Sequence, residues 1–519
     1  MSVTVRDPDV ERLHQMGYAQ ELRRRMSGFS NFAISFTIIS ILSGCLTLYG
    51  YGMFTGGPII MNIGWPLVGI FVTLVGLAMA EVCSAFPTAG GLYYWSAKLG
   101  GKHGAAWSWF TGWFNLLGQI GITAGIDFGL AFFASALLNL LFGYPLDHFS
   151  FLPSIARLPI VFIYLIVLFL HGLLNTFGVR LVALLNDISV WWHVAGVLII
   201  VGALFLIPAH HQSLSFVFTD FENATGATFA GAPIYVFLIG LLLAQYTFTG
   251  YDASAHLTEE TKNAAIAGPR GIVLSIVVSL FAGWLLLIGV TSGIQNYANE
   301  AAAVVPPAQI FVDALGHNWA VFLMFIVVGA QFYCGMSSVT SNSRMIYAFS
   351  RDGAIPGSEF WHRVNPRTRT PTNSIWLAVV GAFIIGLPYL WNLEAYAAVT
   401  SIATIGLYVA YGIPILLRRL QGARFERGPW HLGSWSAIVG WIAIVWIVFI
   451  SILFVLPAAF PPNLQTNFNY ALVAVLVVLI GTAVWWQLSA KNWFKGPRVQ
   501  GSADELAKRE AELAAAGGQ

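Results

Sequence analysis

Two stretches of this chain set glycine and hydroxyl residues in the middle of long apolar runs. The first is Ser43-Gly44-Cys45, followed by Gly50 and Gly52. The second is Thr247-Phe248-Thr249-Gly250-Tyr251-Asp252. A helix that breaks in an apolar medium exposes amide N–H groups at the new helix start and carbonyls at the preceding helix end. The N–H end attracts a carboxylate, and the carbonyl end attracts an ammonium or another cation. Two such breaks side by side suit the backbone of an amino acid. Glycine alone serves close helix packing equally well. The two stretches hold matching places in two halves of the chain, which favours breaks.

Other polar side chains in apolar runs add to this chemistry, because an ionisable group in lipid is costly and faces a cavity or a partner. His193 carries an imidazole that can gain and lose a proton near neutral pH. It can also be a hydrogen-bonded structural histidine. Asp252 can cap the half-helix after the second break or meet a substrate amine. Gln119 and Asp127 are eight residues apart, about 12 Å along one helix face. Gln119 is the better substrate contact, and Asp127, nearer the outside, can recruit cations. Hydrogen bonds between helices are the plainer role for both. Phe248 lies within the break and suits a gate, while Tyr246, Tyr251 and Trp113 can cover an ammonium or simply pack. Ser337, Ser338, Thr340, Ser341 and Ser343 can complete a sodium site or bond their own helix backbone. Glu81, Glu259, Glu260, Arg344 and Arg351 can pair as latches.

Helices in lipid must position these groups. Of the 519 residues, 57% are hydrophobic and only 9% charged, against roughly 25% charged in a soluble chain. The net charge of +2 gives no sign of nucleic-acid binding. Cys45, Cys83 and Cys334 are odd in number and lie in apolar runs, which excludes a disulfide framework or a Cys-type zinc site. Neither a metal nor a cofactor is called for. Residues 1–29 are polar and charged, unlike a cleavable signal peptide.

A helix crosses a bilayer with about 20 apolar residues. Twelve stretches qualify, roughly 30–53, 64–86, 104–140, 157–176, 181–208, 231–261, 271–294, 318–350, 373–392, 396–420, 436–459 and 469–490. Alternate connections carry the basic residues, among them Arg23, Arg24, Arg25, Lys98, Lys102, Arg180, Lys262, Arg270, Arg363, Arg367, Arg418, Arg419 and Lys491. The opposite loops carry only Arg157. The excess of positive charge on one side places both termini in the cytoplasm. The breaks open two blocks of five spans each. An odd number of spans per block makes the repeat inverted, with spans 11 and 12 appended.

Four motifs then carry a resemblance. They are AEVCSAFPTAGGLYYW at Ala80–Trp95, YTFTGYDASAHLTEET at Tyr246–Thr261, SRMIYAFSRDGAIPG at Ser343–Gly357, and NPRTRTP at Asn365–Pro371. In this order they resemble the amino acid–polyamine–organocation permeases over about residues 15–490. Gln20-Glu21-Leu22-Arg23-Arg24 ahead of Phe32-Ala33-Ile34-Ser35-Phe36 is similar to the amino acid/choline branch, which includes GABA permeases. Two departures stand out. Many relatives have Gly-Ser/Ala-Gly where this chain has Ser43-Gly44-Cys45, and many have Lys-Asn-Pro where it has Lys262-Asn263-Ala264. The resemblance implies an all-α membrane protein of the leucine-transporter type, with a five-plus-five inverted repeat, broken helices 1 and 6, and alternating access. It also sets His193 where some proton-coupled relatives carry a lysine, facing the first helix.

The expectation is a secondary active transporter in the plasma or inner membrane, importing an amino acid or amine-bearing solute with a coupling proton. GABA is the leading substrate, on branch resemblance alone. An exchanger or uniporter of amino acids, polyamines or choline is the alternative. Expected substrate contacts are Ser43, Gly44, Cys45, Gln119, Thr247, Phe248, Thr249, Gly250 and Asp252, with His193 carrying the proton. The domains expected are a tail at 1–29, a ten-helix core at 30–420, appended helices at 436–490 and a tail at 491–519. No catalytic cluster such as HExxH or a nucleotide loop points to an enzyme, and no repeated pore signature points to a channel.

Overall fold

The computed structural model describes residues 7–143, 158–177, 179–391, 395–463 and 468–516. Arg157, the one basic residue expected on the opposite loops, lies outside them. Among the described residues the regular structure is helical throughout, apart from one isolated bridge between Met26 and Thr261. A short α1 (Pro8–Gln15) precedes the first apolar stretch, which is divided into α2 (Gly28–Ile39), α3 (Ile41–Thr47) and α4 (Tyr49–Phe54). Then come α5 (Trp65–Ala85), α6 (Gly91–Leu99), α7 (Gly104–Phe142), α8 (Leu158–Phe177), α9 (Val179–Leu206) and a short α10 (Leu214–Thr219). The sixth stretch is again divided, into α11 (Ala232–Gly240), α12 (Leu242–Thr247) and α13 (Ala253–His256). There follow α14 (Ala264–Ser292), α15 (Tyr297–Ala301), α16 (Pro306–Leu315), α17 (His317–Arg351), α18 (Ser358–Trp361), α19 (Thr372–Gly386) and α20 (Ala395–Gln421). The chain ends with α21 (Ser436–Leu453), α22 (Ala471–Trp485), α23 (Lys491–Trp493) and α24 (Ala503–Ala516).

Eleven helical stretches among the described residues are long and apolar enough to cross a membrane. The remaining expected span, 231–261, is not one continuous helix. Its apolar part, Ala232–Thr247, is shorter than the others because the chain leaves the helix at Phe248. Helices are favoured throughout because each satisfies its own backbone where no water is available. Their outward faces keep large apolar groups exposed, such as Phe162 and Phe169 on α8, Leu198 on α9, Val445 on α21 and Val477 and Ile480 on α22. Such a surface is a liability in water and the natural one in lipid.

The 39-residue α7 is the central post. It is about 58 Å long at the standard helical rise, well beyond the roughly 30 Å of hydrocarbon. It packs against α6, α8, α17, α19 and α20. Its approach to α20 brings backbones together, since a Cβ added to Gly406 would sit 3.0 Å from the Gly118 Cα. Small residues permit this contact. A second group forms around α14, which packs on α2, α5 and α9. The two interrupted stretches run between these groups.

Candidate functional site

The first interruption falls at Ser40, four residues before Gly44, the glycine expected to make it. Ser40 has φ +36°, between α2 and α3. This left-handed conformation is uncommon for a side-chain-bearing residue. Two contacts hold it. Its amide donates to the Phe36 carbonyl at 3.0 Å, and its hydroxyl meets His193 Nε2 at 2.7 Å. Ser43, Gly44 and Cys45 instead lie inside α3. The amides of Ser43 and Gly44 both donate to the Ser40 carbonyl, at 2.7 and 2.9 Å. The N–H groups expected to be free at this glycine are therefore already engaged. Gly44 meets the second stretch by close packing, since a Cβ there would sit 2.5 Å from Thr247 Cγ2.

The second interruption is where the sequence places it. Helix α12 ends at Thr247, Gly250 adopts φ +106°, and α13 begins at Ala253. Only glycine takes that backbone conformation without strain. A Cβ at Gly250 would overlap Ile38 Cγ2, so the two interrupted stretches lie directly against one another. Ser35 Oγ donates to the Tyr251 carbonyl at 2.9 Å and accepts from the Ser254 amide at 2.9 Å, tying α2 across the gap. The hydroxyls of Thr247 and Thr249 donate to carbonyls one turn back, Leu243 and Gln245.

Asp252 is the polar centre of this region and is fully buried. It does not cap α13, as its side chain makes no cap hydrogen bond. Its Oδ2 accepts from Gln119 Nε2 at 2.7 Å and its Oδ1 from the Tyr411 hydroxyl at 2.7 Å. His256 Nε2 lies 3.3 Å from Oδ2. These partners offset the cost of taking a carboxylate out of water. His256 is the residue the sequence reading missed. Its Nδ1 donates to the Ala89 carbonyl at 2.9 Å, which leaves Nε2 between Asp252 and the Asn115 amide at 3.4 Å. A proton on Nε2 serves Asp252; without one, Nε2 accepts from Asn115. The rings of Tyr251 and Tyr411 lie 5.1 Å apart beside this cluster. From α17, Asn342 donates to the Gln119 carbonyl at 3.1 Å and so steadies the Gln119 end of it.

His193 is buried, with Nδ1 donating to the Ser189 carbonyl at 2.7 Å. That bond leaves Nε2 to accept from Ser40. The family resemblance set His193 opposite the first helix, and the structure sets it on the residue where that helix breaks. Three further candidates have the following surroundings. Phe248 stacks on Trp65 of α5, with centroids 4.3 Å apart. Trp113 belongs to an aromatic group with Trp109 and Trp485. Asp127 is buried and paired with His171 rather than open to cations.

Glu259 and Glu260 pair with the arginines expected, and Glu81 pairs with two others. Glu260 meets Arg344 at 2.8 Å, Glu259 meets Arg351 at 3.2 Å, and Glu81 meets Arg418 at 3.2 Å and Arg419 at 3.4 Å. The two ends of the chain meet on this face. The Gln500 amide donates to the Gly17 carbonyl at 2.9 Å, and Arg509 pairs with Glu21 at 2.8 Å.

Comparison with known proteins agrees with this arrangement. A family model described as amino acid permease matches residues 26–480. The amino-acid permease BAT1 of Arabidopsis thaliana is 42% identical, with 95% of this chain and 97% of that one covered. The GABA-specific permease of Saccharomyces cerevisiae is 31% identical, over 96% of this chain and 87% of its own length. Amino-acid permease 2 of Neurospora crassa is 28% identical, with 93% and 88% covered. These relatives are transporters and not enzymes, and this chain, an integral membrane protein of the same plan, belongs to the amino acid permease family.

Proposed function

We propose that the chain imports an amino acid or a related amine-bearing solute, with GABA the leading candidate, by proton-coupled alternating access. The observation that carries this reading is the contact between the two interrupted helices, Gly250 against Ile38 and Gly44 against Thr247, beside a buried carboxylate. The substrate lies between the α2/α3 junction, with Ser43, Gly44 and Cys45, and the α12/α13 junction, with Thr247, Phe248, Thr249 and Gly250. Asp252 and Gln119 close the side toward α7. The carboxylate of Asp252 and the ring faces of Tyr251 and Tyr411 suit an ammonium. The small size of Gly44 and Gly250 brings the junctions together, so entry requires them to part. A relative named a GABA-specific permease supports the choice of GABA.

His193 is the proton carrier in this reading. Neutral, it holds Ser40 in its left-handed conformation through Nε2. Protonated, Nε2 can no longer accept that hydroxyl, and the α2/α3 junction is released. Both termini face the cytoplasm, and the ten spans before Ser436 form the moving core, arranged as two inverted blocks of five.

The test is uptake of radiolabelled GABA into proteoliposomes with and without an inward proton gradient. Unlabelled choline, putrescine and common amino acids compete in the same assay. Accumulation that needs the gradient supports the reading. Uptake only after internal loading with amino acid replaces symport by exchange. Absence of GABA flux, with another labelled solute carried, removes GABA and keeps the rest.

A further inference from the structure

We propose that Asp127 of α7 and His171 of α8 form a second proton-binding site, on other helices than His193. The inference rests on the reading of this chain as a proton-coupled permease. His171 Nδ1 lies 3.1 Å from Asp127 Oδ2, and both side chains are fully buried. Each has a further polar atom without a hydrogen-bond partner, Asp127 Oδ1 and His171 Nε2. With one proton shared within the pair, on Nδ1, both orphan atoms are acceptors. The pair then carries one net negative charge in an apolar interior, where a lone charge is expensive. A single added proton cancels that charge and supplies a donor. Among the described residues, the only ion-pair partner of either side chain is the other.

The titratable groups facing the pair are neutral ones. Tyr164 of α8, Tyr246 of α12 and Cys334 of α17 lie within electrostatic reach of Asp127. Tyr396 of α20 reaches the Gly125 carbonyl of α7, one half-turn before Asp127. The pair is covered by Gly335 of α17. A Cβ there would overlap Asp127 Oδ1 and sit 2.6 Å from His171 Cε1. A proton can therefore reach Oδ1 or Nε2 only when α17 moves. The neighbouring Cys334 thiol donates to the Ile38 carbonyl, two residues before the break at Ser40. The covering helix is thus tied to the junction that opens, and the site's exposure follows the transport cycle.

The experiment uses the full chain, labelled with 15N-histidine and reconstituted in liposomes. Solid-state NMR follows the imidazole nitrogens as the bath is taken from about pH 8 to about pH 5, the range in which histidines change charge. His171→Gln identifies the His171 signals. The expected result is conversion of His171 from a singly to a doubly protonated ring, moved to lower pH in Asp127→Asn. An unchanged His171 spectrum across this range overturns the proposal. This arm needs no substrate, so it stands apart from a failure of GABA as the solute. The second arm is the pH profile of [14C]GABA uptake. A changed profile in His171→Gln supports coupling, and equal loss at every pH assigns the pair a structural role and overturns it. Asp127→Asn serves the same comparison where His171→Gln does not fold.

Discussion

Replacing Gly250 with alanine tests whether the two interrupted helices touch. Two costs follow from the structure. The φ of +106° is hostile to any side chain, at about 1–3 kcal/mol. The new Cβ also overlaps Ile38 Cγ2, and overpacking of this kind costs about 1–3 kcal/mol. The sum, about 2–6 kcal/mol, is a large share of the roughly 5–15 kcal/mol that holds a fold together. Ile38→Ala removes the clashing methyl, and the nearest atom left is the Cβ of residue 38 at 3.4 Å, an ordinary contact. Alone, that truncation costs about 2–5 kcal/mol. In the double variant the backbone strain persists and the overlap disappears. The pair should therefore be about 1–3 kcal/mol less destabilised than the sum of the single variants. Denaturant unfolding of the four proteins in detergent micelles gives the coupling, and GABA uptake gives the effect on function. Additivity within about 0.5 kcal/mol would mean that Ile38 does not abut Gly250, and the argument from facing junctions would fall.

Three further outcomes follow. His193→Ala should lose the pH dependence of uptake; accumulation with the wild-type pH profile would remove His193 from proton coupling. Arg351→Ala leaves Glu259 buried without its cation, a loss of about 3–5 kcal/mol from the face where the termini meet. Labelling of the buried Cys45 thiol by a polar maleimide, mapped by mass spectrometry, should speed up about tenfold for each 1.4 kcal/mol of that loss expressed as opening. An unchanged rate would show that the pair does not hold this face closed. Burial pushes the Glu300 carboxyl of α15 up to about 7. The ordered state therefore prefers the protonated form; its stabilisation is full below the ordinary carboxyl value of 4.5 and is lost as pH rises through about 7. Hydrogen exchange over α15 and α16, which pack on α4, should lose protection from pH 5 to pH 8 in the wild type, after correction for intrinsic rates. Glu300→Gln should abolish the change.

Hydropathy and charge made the helical membrane plan legible, because both are summed over many residues and survive local exceptions. The break at Thr247–Asp252 was legible because it depends on Gly250, whose positive φ has a residue-type signature. The break at Ser40 was not. A serine can be held in a left-handed conformation by a partner, and that partner, His193, is 153 residues away. His256 escaped notice for the same reason. Its role comes from the Ala89 carbonyl, in the connection before α6, and the Asn115 amide of α7. The position of Phe248 within the break does not give the direction of its ring, which stacks on Trp65.

The choice of cation beside each buried acid separates two kinds of site. Glu81, Glu259 and Glu260 are each matched by arginine. A guanidinium stays charged at any physiological pH, so these pairs can break only by movement. Asp127 and Asp252, in the packed interior, are matched by His171 and His256. A histidine partner lets the charge beside the carboxylate come and go. An arginine at either interior position would hold its carboxylate in one charge state throughout the cycle. A buried carboxylate that must trade its partner for a substrate ammonium, or its charge for a proton, needs a neighbour that can become neutral. Replacing His256 with arginine should therefore leave Asp252 permanently paired. Folding would be retained where space allows, and GABA uptake would be lost. Gradient-driven uptake by a folded His256→Arg protein would show that Asp252 need not be released from its partner.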